Sequence, residues 1–420
     1  MLRLVSLCGL FVILLICFLV SSDRRAIRWR TVAIGLGVQL VLGLLFLYWD
    51  RGNTGLRAFG QGVSDFLGLA MRGTGFVWGV FAEGAEMRRV FGENKGFVFA
   101  VMVLPTLIFF SSFMAVLYHL GVMQAVVRAM SSFMVRFMGT SGSESLSACA
   151  NVFVGQTEAP LLVKPYLPRM TRSELHAIMV GGFATIAGGV FVLYTGFGAD
   201  PGHLMVASVM AAPAGLVCSK LALPETEPSE TMGRVVHSVD RTSSNVVEAA
   251  ANGAIDGLHL ALNVGAMLIA FLGLVAVIDW LLAGLTGGFF GAPQEEALSL
   301  GKILAWAFSP LAALMGASFD GEEILTLGEL LGTKLALTEL VAYARLGELK
   351  TSLSPRTVML ASFALCGFAN FASVAIQIGG LGAMAPDRRR DLAALGLRAM
   401  LIGSLATCMT ACLAGVLTRV

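Results

Sequence analysis

The chain has 420 residues, of which 56% are hydrophobic and only 13% charged, with a mean hydropathy of +0.80. Soluble domains carry about 25% charged residues, so water is excluded as the main solvent. A net charge of +2, with the basic residues scattered, excludes nucleic acid as a partner.

The first apolar run, Leu4 to Val20, is followed by Ser-Ser-Asp-Arg-Arg and not by a small-residue cleavage site, so it reads as a crossing helix. A crossing takes roughly 20 apolar residues. Further ones are expected at 31–49, 96–119, 174–197, 203–222, 258–285, 356–384 and 391–418. Residues 52–90 and 121–138 mix charged and apolar positions and read as interfacial amphipathic helices, and 301–319, with Pro310, reads as a connecting helix. Basic residues favour the cytoplasmic side. Arg24, Arg25, Arg28 and Arg30 follow the first crossing; Arg128 and Arg136 the third; Lys220, Arg234 and Arg241 the fifth; Arg388, Arg389 and Arg390 the seventh. The Gln294-Glu295-Glu296 loop then falls outside, and eight crossings leave both termini outside. The seven cysteines lack Cys-x-x-Cys spacing and the histidines form no zinc motif, so they read as small core residues.

Two segments are too polar to face lipid. Residues 140–168 hold Asn151, Gln156, Thr157 and Glu158 before Pro160, Pro165 and Pro168; residues 322–350 hold Glu322, Glu323, Glu329, Lys334, Thr338 and Glu339. A full crossing at either place would put later basic loops outside, whereas a re-entrant hairpin keeps the count. Each hairpin is followed by a span interrupted at Gly182-Phe183-Ala184-Thr185 or Gly367-Phe368-Ala369-Asn370, then one more span. One hairpin opens from each side, so the copies are inverted, as in many transporters with broken helices at the midplane. The expected fold is an all-α polytopic membrane protein, with about eight transmembrane helices, two re-entrant helical hairpins in an inverted repeat and interfacial amphipathic helices. Its expected organisation is a scaffold at 1–138 and 223–320, and a transport domain at 139–222 and 321–420.

A carboxylate inside a membrane costs about 2.5–3.5 kcal/mol on insertion scales and is functional by default. Glu158 and Glu339 are expected to be the most deeply placed acids, Lys334 being the nearest basic partner for Glu339; Glu144, near a hairpin root, is expected to be solvated. Gln156, Thr157, Asn370 and Ser373 suit either interhelical hydrogen bonding or ligand contact, and their clustering with the two acids favours the ligand. The Asn151 amide, the Thr185 hydroxyl and the carbonyls of Val154 and Ile186 are neutral oxygens suited to a weakly bound hard cation. Phe368 fits a flat ring or plain core packing equally well.

Gly155-Gln156-Thr157-Glu158-Ala159-Pro160-Leu161-Leu162 resembles the first-hairpin motif of the concentrative nucleoside transporters. Thr338-Glu339-Leu340-Val341-Ala342-Tyr343 is similar to their second, and Cys366-Gly367-Phe368-Ala369-Asn370 through Ser373 to Gly379-Gly380-Leu381-Gly382 resembles their seventh span. The resemblance runs from about residue 96 to the C-terminus. It implies a homotrimer in the bilayer of a bacterial inner membrane, taking up nucleosides such as uridine and adenosine with co-transported sodium. By motif position it implies that Gln156, Thr157 and Glu158 address the base, and that Glu339, Asn370 and Ser373 hold the ribose, with Phe368 and Val190 packing nearby. Sodium maps to Asn151, Val154, Thr185 and Ile186. Thr185 stands where the family more usually has Ser, and Thr338 where Asn is common. Proton coupling on the same fold is the first alternative. A channel would need a continuous polar stripe, and an enzyme a nucleophile–base set, metal motif or phosphate loop; none accompanies the acids.

Overall fold

A computed structural model describes residues 1–91, 98–233, 243–288 and 298–418. Arg234, Arg241, Gln294, Glu295 and Glu296, used above to orient the chain, lie outside the described residues. Among those described, the chain is almost wholly helical and forms no β-strand.

In chain order the helices are α1 (Leu2–Leu19), α2 (Trp29–Gly43), α3 (Asp50–Trp78), α4 (Gly84–Phe91), α5 (Phe99–Met102), α6 (Leu104–His119) and α7 (Val122–Met138). The first polar segment follows: α8 (Gly142–Ala150), then an irregular tip and short turns at Ala159–Val163 and Leu167–Arg169 that fold back on α8. Next are α9 (Arg172–Ala184), α10 (Gly188–Gly196), α11 (Pro201–Ala222), α12 (Val246–Ala283) and α13 (Leu300–Leu314). The second polar segment is α14 (Gly321–Ala336) packed on α15 (Glu339–Leu349), and the chain ends with α16 (Pro355–Leu365), α17 (Phe371–Met384) and α18 (Arg389–Leu417).

Among the described residues, six helical stretches have the length and composition to cross a bilayer: Leu2–Leu19, Trp29–Tyr48, Phe99–His119, Arg172–Gly196, Pro201–Ala222 and Pro386–Leu417. They coincide with six of the eight expected crossings. Of the remaining two, the expected 258–285 span overlaps α12, which starts earlier, at Val246, where Asn245 caps its N-terminus by accepting from the Glu248 N–H, and ends at Ala283. The expected 356–384 span is split into α16 and α17 at the Gly-Phe-Ala-Asn step. Arg172–Gly196 is likewise split, after Thr185.

Arg172–Gly196 and Pro386–Leu417 are each 78% buried inside the chain and Pro201–Ala222 is 89% buried, against 17% for Phe99–His119. The core is therefore built by the helices of the two repeats, with α1 and α2 packed on α18 and α11. α6 stands apart, paired along its length with α12. Their closeness comes from Gly253 and Gly257 of α12, where an added Cβ would meet the Ser111 carbonyl at 2.7 Å and the Leu107 carbonyl at 2.8 Å. A small residue every fourth position lets membrane helices approach backbone to backbone. Gly328 and Gly332 do the same where α14 meets α13, a Cβ at Gly328 lying 2.6 Å from the Ala305 carbonyl. Buried Arg356 ties three elements by donating to the carbonyls of Gly316 and Gly415, each at 2.8 Å, and to Ser6 Oγ at 3.1 Å.

Two sequence expectations fail at the root of α8. Glu144 is fully buried, not solvated, and Lys220 is no loop charge but a buried residue in the last turn of α11. They pair at 2.7 Å. The cause is a paired capping arrangement that the spacing hides. Ser141-Gly-Ser-Glu144 caps α8 and Thr171-Arg-Ser-Glu174 caps α9, each with the hydroxyl on one backbone N–H and the Glu on the other. Glu174 also accepts from Ser143 at 3.1 Å and Ser229 at 2.6 Å, while Lys220 donates to Ser173 and contacts Glu225 at 3.3 Å. This network fixes the base of the first polar segment to α9, α11 and the following loop.

Removing one partner of a buried pair strands the other charge and costs about 3–5 kcal/mol. Lys220→Met is expected to lower the unfolding midpoint of the detergent-solubilised protein clearly, and Glu144→Gln added to it to recover part of the loss. Thermal unfolding followed by intrinsic fluorescence checks both.

Candidate functional site

Four backbone interruptions meet in one place: the tips of the two polar segments, after α8 and between α14 and α15, and the breaks between α9 and α10 and between α16 and α17. Interrupted helices in an apolar interior leave carbonyls and N–H groups that need partners. Here the partners are largely one another. The Phe368 N–H donates to the Thr185 carbonyl at 3.2 Å, joining the two breaks, and the Gly188 N–H donates to the Phe153 carbonyl at 3.0 Å, joining the first tip to the first break.

Side chains complete the crossing between repeats. Gln156, on the first tip, donates through Nε2 to Ser373 Oγ on α17 at 3.1 Å and accepts through Oε1 from Gln377 Nε2 at 2.9 Å. Gln377 is held in turn by the Met179 carbonyl on α9 at 3.1 Å. On the other side, Glu339 accepts from the Tyr194 hydroxyl on α10 at 2.9 Å and from Asn370 Nδ2 at 2.8 Å. Asn370 caps α17 by accepting the Ser373 N–H at 2.8 Å. Glu339 opens α15, so its carboxylate sits at the positive end of a helix. Thr338 replaces the family's usual Asn without losing the cap, its hydroxyl accepting the Val341 N–H at 3.4 Å.

Lys334 does not pair with Glu339. Its ammonium donates to the Ala364 carbonyl and the Thr407 hydroxyl. Glu339 is buried as expected, at 5% exposure. Glu158 differs: in the single chain its side chain is exposed, with the carboxylate folded back over Gly155. The more deeply enclosed acids are Glu144 and Glu174, which the capping network holds. Thr157 packs over Gly380, Val190 is buried at 7% exposure, and Phe368 is partly buried beside the breaks.

Asn151, Val154, Thr185 and Ile186 meet where α8 and α9 end. Asn151 is fully buried, and neither Oδ1 nor Nδ2 finds a hydrogen-bond partner among the described residues. Leaving such a group unsatisfied costs about 1–3 kcal/mol. The Thr185 hydroxyl donates to the Gly181 carbonyl at 2.8 Å, which leaves its lone pairs free, and the carbonyls of Val154 and Ile186 accept nothing among the described residues. This donor set fits a hard monovalent cation held by neutral oxygens. Among the described residues no cluster of His, Cys, Asp and Glu could hold a transition metal.

Sequence reasoning missed Tyr194 and Gln377. Gln377 had a readable signal: Asn370, Ser373 and Gln377 recur at spacings of three and four, which is one face of a helix. Tyr194 had none, since its hydroxyl matters only because α10 brings it to Glu339 and stacks it on Tyr343 at 4.1 Å.

Family models of the Na+ dependent nucleoside transporter N-terminus and C-terminus match residues 8–81 and 203–415, and one for nucleoside recognition matches 100–201. An uncharacterized transporter of Haemophilus influenzae is 45% identical over 98% of this chain and 96% of its own length. Human solute carrier family 28 member 3 is 40% identical over 99% of this chain, which spans 60% of that protein. Mouse sodium/nucleoside cotransporter 1 is 41% identical over 99% of this chain and 64% of its own length. Among solved structures, CNTnw in an inward-facing substrate-bound state superposes with a TM-score of 0.92 at 44% identity, covering 99% of this chain and 98% of that one. A doubly substituted CNTnw in an outward-facing state gives 0.94 at 44% identity, covering 100% and 99%. These relatives are transporters and not enzymes. On motifs, helical architecture and relatedness alike, the chain belongs to the family of sodium-dependent, concentrative nucleoside transporters.

Proposed function

We propose that the chain is a symporter that couples inward sodium movement to nucleoside uptake by alternating access. The observation that carries this reading is the orphaned amide of Asn151, placed five residues before Gln156 on the same tip. A cation taken up by Asn151, Val154, Thr185 and Ile186 orders the tip that presents Gln156, Thr157 and Glu158 to the base. Glu339, Asn370 and Ser373 take the ribose hydroxyls, with Phe368 and Val190 lining the ring. The Gln156–Ser373 and Asn370–Glu339 bonds are the contacts that a nucleoside's own donors and acceptors take over. Because sodium and nucleoside then share one tip, each raises the other's affinity by the same factor. An inward-negative potential adds about 2.3 kcal/mol per charge per 100 mV.

Within this reading the two polar segments are re-entrant hairpins, and the repeats at 139–222 and 321–420 form the moving body. The close α6–α12 pair belongs to the scaffold against which that body moves. The exposed apolar side chains along α12, among them Leu272, Val277 and Trp280, favour a further protein surface there and hence a homotrimer. A bacterial inner membrane with both chain termini outside satisfies the basic loops among the described residues.

The test is accumulation of labelled uridine and adenosine in proteoliposomes under an inward sodium gradient. Wild type is expected to concentrate nucleoside. Glu339→Gln is expected to reduce uptake about 10- to 100-fold, the size of a lost hydrogen bond to a buried charge. Accumulation driven only by a pH gradient would move the coupling to protons.

A second prediction isolates the cation. Thr185→Val keeps the shape and removes the hydroxyl. It is expected to raise the half-saturating sodium concentration by about tenfold while leaving the uridine-to-adenosine ratio unchanged. Sodium titration of initial uptake rates reads both quantities.

A further inference from the structure

Gln156 and Gln377 form a buried relay of two amides whose direction is set at one end. Gln377 stands on the α17 face that carries Asn370 and Ser373, and it is 1% exposed. Its Nε2 donates to the Met179 carbonyl on α9 at 3.1 Å and to Gln156 Oε1 on the first tip at 2.9 Å. Gly182 makes this approach possible, since a Cβ there would lie 2.6 Å from Gln377 Nε2 and 2.9 Å from Gln156 Cβ. The relay thus ties α9, the first tip and α17 at a point with no room for a side chain at position 182.

A carbonyl can only accept, so the Met179 carbonyl decides which way round the Gln377 amide lies. Turning that amide over would set its oxygen against two acceptors, the Met179 carbonyl and Gln156 Oε1. The structure instead occupies both N–H donors and leaves Gln377 Oε1 without a partner among the described residues. With an N–H arriving at its Oε1, Gln156 turns Nε2 to the other side, where it donates to Ser373 Oγ at 3.1 Å. A hydroxyl donates or accepts with equal ease, so Ser373 does not impose this orientation and Gln377 does. Two residues on, the same tip carries Glu158, which as a carboxylate can only accept.

We propose that Gln377 is a positioning residue for base selectivity: anchored on the Met179 carbonyl, it holds the Gln156 amide with its donor toward the nucleoside. This rests on the reading above in which Gln156 and Glu158 address the base. A fixed donor and an acceptor on one tip match uracil, which carries an acceptor oxygen at position 4 and an N–H at position 3. Cytosine carries the two in reverse, an amine at position 4 and a bare nitrogen at position 3. The transporter then favours uridine over cytidine, and Gln377 sets that preference without touching either. An amide free to turn over would serve both bases, because a site built around fixed hydrogen-bond partners rejects the analogue that leaves them unpaired.

The experiment compares kcat/KM for uridine and cytidine in sodium-driven proteoliposome uptake by wild type, Gln377→Met, Gln156→Ala and the double variant. Wild type is expected to favour uridine; a preference for cytidine, or none, overturns the proposal before any variant is made. Gln377→Met keeps the bulk and removes the anchor. It is expected to move the ratio toward cytidine by about 3- to 10-fold, the size of one neutral hydrogen bond. The change should fall on KM and leave the half-saturating sodium concentration where it was. Added to Gln156→Ala, the same substitution is expected to move the ratio no further, because Gln377 acts only through that amide. A further shift in the double variant overturns the proposal. So does an equal loss of both nucleosides with an unchanged ratio, which marks Gln377 as a structural prop. An unchanged ratio in Gln156→Ala removes the base contact on which the proposal rests. Absence of sodium-driven uptake of either nucleoside by wild type overturns the proposed function itself, a result distinct from each of these. Should Gln377→Met not fold, the wild-type preference decides alone.

Discussion

Every feature of the site follows from one constraint: a helix interrupted in an apolar interior must find partners for the backbone groups it frees. The chain interrupts its helices at four places and brings all four together. The Phe368 N–H on the Thr185 carbonyl and the Gly188 N–H on the Phe153 carbonyl meet part of the demand within the backbone itself. Gln156, Glu339, Asn370 and Ser373 meet more of it across the repeats. What is left unmet within the site includes Gln377 Oε1 on α17 and, at the first junction, the Asn151 amide and two carbonyls, which point at no partner among the described residues. On the proposed function, that unmet demand is what a small cation and a polar solute would satisfy.

The rigidity of the surroundings sharpens this. α9, α11 and α18 are the most buried of the crossing-length helices, and the capping boxes at Ser141 and Thr171 lock the root of the first hairpin through Glu144, Lys220 and Glu174. The tip, from Asn151 to Glu158, lacks regular helix, and its Asn151 amide has no partner among the described residues. On the proposed reading, ordering that tip with an ion is a local event with a direct effect on Gln156, the residue bridging to α17.

Much of this was legible in the sequence because polar residues in an apolar chain are conspicuous. The two polar segments, the paired Gly-Phe-Ala interruptions and the grouping of Asn151 with Thr185 were read from composition and order alone. Glu144 and Lys220 were misread for an identifiable reason. Charges near the predicted ends of spans pass for solvated loop residues, and nothing in one-dimensional spacing brings a position on α8 to one on α11. Glu158, exposed in the single chain with its carboxylate turned back over Gly155, departs from the expectation of a deeply enclosed acid. Tyr194 became functional only through the contact of α10 with α15, which the sequence does not display.

The central claim is that sodium completes the first tip and thereby creates nucleoside affinity. Calorimetric titration of uridine into the purified protein, in sodium and in an equal concentration of choline, tests it most directly. The account predicts markedly tighter uridine binding in sodium, and a matching gain in sodium affinity when uridine is present, because the coupling is reciprocal. Equal uridine affinity in the two salts would contradict it.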